Sequence, residues 1–112
     1  MRIRRTVHAS LVLVLFALGA CNARTQEGVL VYKATLPDGG VPAYEVLERV
    51  TTKLELRLGD AGLERRSAGV VPPDTIRVVI PENAVPRLAE LRRVIEDPDE
   101  MPVRLEFLRQ GE

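Results

Sequence analysis

Few residues of this chain can do chemistry, and their positions narrow the choice further. The one cysteine, Cys21, follows an uncharged apolar run, and the one histidine, His8, lies before it. From Cys21 onward there is no imidazole, which excludes histidine proton relays and the common histidine metal sites there. A lone thiol forms no internal disulfide. Hydroxyls at Thr51, Thr52, Ser67 and Thr75 have no recognisable base or nucleophile elbow around them. The densest acidic run, Glu96-Asp97-Pro98-Asp99-Glu100, offers oxygen ligands for a hard cation such as calcium. It lacks the glycine-bearing loop of an EF-hand, and a solvated turn is the plainer reading. Arg65-Arg66 and Arg92-Arg93 offer a basic patch for lipid headgroups or a cell-wall polymer, but ordinary surface charge is the plainer reading, because acidic residues lie close by in sequence. No cofactor is predicted.

The start of the chain decides what Cys21 is for. Met1 to Arg5 is basic and Ala9 to Ala20 is an apolar run too short to span a bilayer, which takes about 20 residues. Leu18-Gly19-Ala20-Cys21 resembles the bacterial lipobox, in which a cysteine is acylated on sulfur and the leader is then removed. The resemblance implies that Leu18, Gly19 and Ala20 are the cleavage signal and that Cys21, carrying a lipid, palmitate included, becomes the first residue of the mature protein. Asn22, in place of the aspartate that retains lipoproteins in the inner membrane, implies the periplasmic side of the outer membrane. An ordinary secretory signal enclosing a cysteine and a short membrane anchor are the alternatives.

The expected organisation is therefore a signal peptide at 1–20, a lipidated tether at 21–28 and one domain at 29–112. Of 16 basic residues, Arg2, Arg4 and Arg5 belong to the leader, leaving 13 against 16 acidic ones, and a mildly acidic chain gives no reason to expect nucleic acid. Tyr32, Tyr44 and Phe107 are too scattered to stack bases.

The elements that must position any site follow from periodicity. Leu47, Val50, Leu54, Leu58 and Ala61 recur at three or four residues and predict a helix from Ala43 to Gly62, ended by a left-handed glycine. Gly59, in its last turn, predicts close packing against a strand. Val29 to Leu36, Leu63 to Val71, Thr75 to Ile80 and Met101 to Arg109 read as strands, the second at an edge. Leu88, Leu91 and Ile95 predict a second helix from about Val85 to Glu96, with Arg92 and Glu96 placed to pair. The order βαββαβ predicts an α+β, ferredoxin-like sandwich, a four-stranded antiparallel sheet with two helices on one face.

Three blocks resemble the head of the first periplasmic domain of SecD, the protein-export membrane protein. They are Arg57-Leu58-Gly59-Asp60-Ala61-Gly62-Leu63, Asp74-Thr75-Ile76-Arg77-Val78-Val79-Ile80-Pro81, and Leu105-Glu106-Phe107-Leu108-Arg109, which has one residue more than the family's L-E-F-R strand. The resemblance spans about Val29 to Arg109. It implies a non-enzymatic, polypeptide-binding or envelope-complex role; the SecD motor itself does not transfer, because no transmembrane helix is expected after the leader. A carboxylate-based envelope hydrolase or transferase is the alternative.

Overall fold

The computed structural model describes Gly28 to Gly111. Seven elements follow one another: β1 (Val29–Thr35), α1 (Tyr44–Asp60), β2 (Ser67–Val71), β3 (Thr75–Val79), a 3-10 turn (Glu82–Arg87), α2 (Leu88–Glu96) and β4 (Arg104–Gln110). The strands form one antiparallel sheet in the order β2-β3-β1-β4. This is the α+β, ferredoxin-like arrangement expected from the element order.

Strand alternation divides the sheet into two faces. Leu30, Tyr32 and Ala34 of β1, with Ile76 and Val78 of β3, are buried beneath Leu47, Val50, Leu54 and Leu58 of α1 and Leu91 and Ile95 of α2. Each such aliphatic side chain contributes roughly 1.5–3 kcal/mol by leaving water. The odd-numbered residues of β1 stand on the other face.

Helix α1 ends as its sequence predicts. Gly62 has φ +97°, its N–H donates to Gly59 O at 3.0 Å, and the Leu63 N–H donates to Leu58 O at 3.1 Å. Those two bonds make a Schellman cap, and buried Leu63 completes it from the loop side.

Strands β2 and β4 begin at Ser67 and Arg104, later than the expected Leu63 and Met101, and three further local features differ from expectation. Helix α2 begins at Leu88, because Pro86 has no N–H to give and the residues before it wind as a 3-10 turn. The neighbour of Gly59 is a side chain of the following loop: a β-carbon there would meet the Arg66 guanidinium at 2.9 Å, not a strand. Strand β4 carries a bulge, since Tyr32 pairs with Phe107 and Val31 with Arg109, leaving Leu108 as the extra residue. Leu108 is also the residue by which the closing block exceeds the L-E-F-R pattern.

Candidate functional site

Helix α2 is fixed over β1 and β4 by a small polar cluster. The Tyr32 hydroxyl donates to Glu96 Oε2 at 2.9 Å, and Arg92 Nε donates to the same oxygen at 2.7 Å. Arg92 Nη2 reaches Glu96 Oε1 at 3.3 Å, so both carboxylate oxygens are engaged. The Arg92 guanidinium carbon lies 3.8 Å from the centre of the Phe107 ring, and that ring meets Tyr32 edge-on with centroids 5.6 Å apart. Burial first, then the hydrogen bond and charge of Glu96, hold the Tyr32 phenol well above its ordinary pKa.

Beyond this cluster the carboxyl end of α2 stands clear of β4, leaving a cleft of about 280 Å³. Ile95, Met101, Val103 and Leu105 give it an apolar lining, with Pro37 and Pro98 beside them. Glu96, Asp97 and Arg104 supply its polar groups. The loop at one side is held by α1: Arg57 donates to Val94 O at 3.2 Å, to Asp97 O at 2.8 Å and to Asp99 O, while Lys53 donates to Glu100 O. One guanidinium thus reaches a carbonyl of the last turn of α2, that of Val94, and carbonyls of the loop that follows, where no glycine cap exists.

The cleft adjoins an edge of the sheet. The outer side of β4 pairs with no strand among the described residues, and the bulge at Leu108 bends it away beyond Phe107. At the opposite edge, Glu55 of α1 accepts from the Ala68 N–H at 3.2 Å, which blunts β2 as a template for pairing. Arg104 to Phe107 is therefore the stretch of edge that is both straight and beside an apolar cleft.

The acidic run is divided between structural duties. Glu96 is tied to Arg92 and Tyr32, Asp97 Oδ1 accepts from the Asp99 N–H at 3.0 Å, and Glu100 lies 3.6 Å from Lys53. No group of three or more metal-binding side chains converges among the described residues. The arginine pairs are split as well. Arg66 donates to Glu55 O at 2.9 Å and Leu63 O at 2.8 Å, and Arg92 is committed to Glu96 and Phe107, so neither doublet forms a surface patch as a unit. Thr51 and Thr52 donate to Glu48 O within their helix, and Thr75 donates to Asp74. None is brought to the cleft.

Cys21 and the cleavage positions Leu18, Gly19 and Ala20 lie outside the described residues. Among those described, no helix is long and apolar enough to cross a membrane. Sequence reading missed the cleft, although two signals mark its parts: prolines at 37 and 98 where elements end, and a hydrophobic residue, Met101, before the last strand. Comparison with known protein families, characterised proteins and solved structures finds no match.

Proposed function

We propose that this chain is a lipid-anchored, non-enzymatic module of the bacterial cell envelope that binds extended polypeptide along the β4 edge. The observation that carries the reading is the juxtaposition of an unpaired strand edge, Arg104 to Phe107, with the apolar cleft lined by Ile95, Met101, Val103 and Leu105. An added strand takes its affinity from backbone hydrogen bonds and its selectivity from side chains that enter a neighbouring pocket. Resemblance to the SecD head supports a polypeptide as the ligand, and the lipobox-like Leu18-Gly19-Ala20-Cys21 supports acylation at Cys21 and a periplasmic, outer-membrane location.

The alternative, carboxylate chemistry in an envelope hydrolase or transferase, has Glu96 and Asp97 at the cleft. Both are already engaged by hydrogen bonds of the fold, which weighs against it. A photoreactive amino acid at Met101, in the cleft lining, tests the binding reading in cells. Adducts with polypeptides, lost when the same group is placed at Glu48 on α1, are the expected result; equal labelling from both positions overturns it. Acyl attachment is tested separately by the mass of the amino-terminal peptide.

A further inference from the structure

The second face of the sheet separates charge in a way the helical layer does not. Cross-strand pairing places Val31 opposite Arg77 and Arg109, Lys33 opposite Thr75 and Glu106, and Thr35 opposite Arg104. Val29 and Val31 are buried in its floor, while Lys33, Arg104 and Arg109 are exposed. Between Gly28 and Gly111 the chain has 12 basic and 14 acidic residues. Lys33, Arg77, Arg104 and Arg109 stand at strand positions on this face, and of the acids only Glu106 does. The face is therefore net positive although the described chain is net negative, a segregation that like-for-like surface charge would not produce.

We propose that this face docks on an anionic phospholipid bilayer, and that the anchored module lies flat on the membrane with its helical layer turned to the periplasm. The inference rests on the lipid-anchored reading for its geometry. Seven residues separate Cys21 from Val29, the first residue of β1, and they reach at most about 25 Å when extended. That equals roughly the length of β1 itself, so the tether allows the sheet to lie against the bilayer but does not lift it far. Screening acts over about 8 Å at physiological salt, well within the tether's reach. A cation near an anionic leaflet improves the docked state about fivefold, so the net charge of this face biases the orientation strongly without making an irreversible contact. In this pose Ile95, Met101, Val103 and Leu105 of the β4 cleft stay on other elements or strand positions, while Arg104 is shared between the cleft rim and the docked face.

The test uses the full acylated chain, purified from membranes and placed in vesicles of phosphatidylcholine with or without phosphatidylglycerol. Acylation of Cys21, the only cysteine, leaves Ser67→Cys, at a strand position on the proposed face, and Glu48→Cys, on α1, each as a single free thiol for a fluorescent label. The expected result is quenching by a headgroup-bound quencher at position 67 and not at 48, only with phosphatidylglycerol, and reversed when salt rises to about 0.5 M. Changing Arg104 and Arg109 to Gln should lower the docked fraction ratio on the order of 20-fold. Equal quenching at both positions, or quenching at 67 that ignores lipid charge, overturns the proposal. Protection of the label at 67 by polyglutamate but not by anionic vesicles also overturns it and assigns the face to an acidic protein. A missing acyl group on Cys21 instead overturns the anchored reading; sedimentation of the unanchored chain with anionic and neutral vesicles then reads the face alone, and equal sedimentation with both rejects it.

Discussion

The guanidinium of Arg66 crowds the place where the β-carbon of an alanine at position 59 would stand, with Nη2 at 2.9 Å and Cζ at 3.0 Å from it. A glycine in the last turn of α1 thus makes room for a side chain that satisfies carbonyls of the helix end and the loop, Glu55 O, Leu63 O and Glu64 O. The first prediction is a dependence on background. Gly59→Ala should gain about 1 kcal/mol of helix propensity when Arg66 is also alanine, and less than that when Arg66 is present and its guanidinium must shift. Urea denaturation of the four proteins measures the difference, and equal effects in both backgrounds would refute the coupling.

Gly62 makes a different demand. At φ +97° a β-carbon is strained whatever the space around it, so Gly62→Ala should cost about 1–2 kcal/mol. Gly62→Asn should cost less, because asparagine tolerates the left-handed region. Urea midpoints for the two variants order them.

Tyr32 links stability to alkaline pH. Its phenol is held protonated in the folded protein and ionises near pH 10 once unfolded, so above about pH 10 the unfolded state binds fewer protons than the native one. Stability is then lost as pH rises, with a limiting slope of about 1.4 kcal/mol per pH unit from this group. Tyr32→Phe should be less stable at neutral pH by about 1–3 kcal/mol, since it gives up a hydrogen bond to a carboxylate, and should lose this part of the alkaline slope. Denaturant unfolding between about pH 8 and pH 11 compares the two proteins.

Arg57 ties α1 to the end of α2 through three carbonyls of one segment, those of Val94, Asp97 and Asp99. Arg57→Ala should cost about 2 kcal/mol and speed amide exchange in residues 97–101 more than elsewhere. Arg57→Lys should not restore protection, because a lysine lacks the planar fork that reaches several acceptors. Exchange followed by mass spectrometry checks both, and uniform acceleration across the chain would show that the clamp is not local.

The periodic parts of the chain were legible because a single physical demand fixed each of them. Leu47, Val50, Leu54 and Leu58 could share a face only in a helix, and Ile76 and Val78 could be buried together only in a strand. Gly62 could be placed from its position after the last helical apolar residue. The Arg92–Glu96 pair, one turn apart on a helix, was legible in the same way, but Arg57 and Arg66 were not. A side chain as long as Arg57 or Arg66 finds its acceptors across a loop or a helix end, and sequence spacing carries no record of that distance. Pro86 and Leu108 mark an intermediate case, where a local irregularity was visible but its outcome, a 3-10 turn or a bulge, depended on the neighbours. The cleft arises only when Ile95, Val103 and Leu105 meet from separate elements.

The bulge at Leu108 also acts as a ruler. A strand laid along β4 from Arg104 can follow it for about four residues, roughly 13 Å, before the edge turns away. On the polypeptide-binding proposal, so short a grip would hold only one brief stretch of a guest chain at a time.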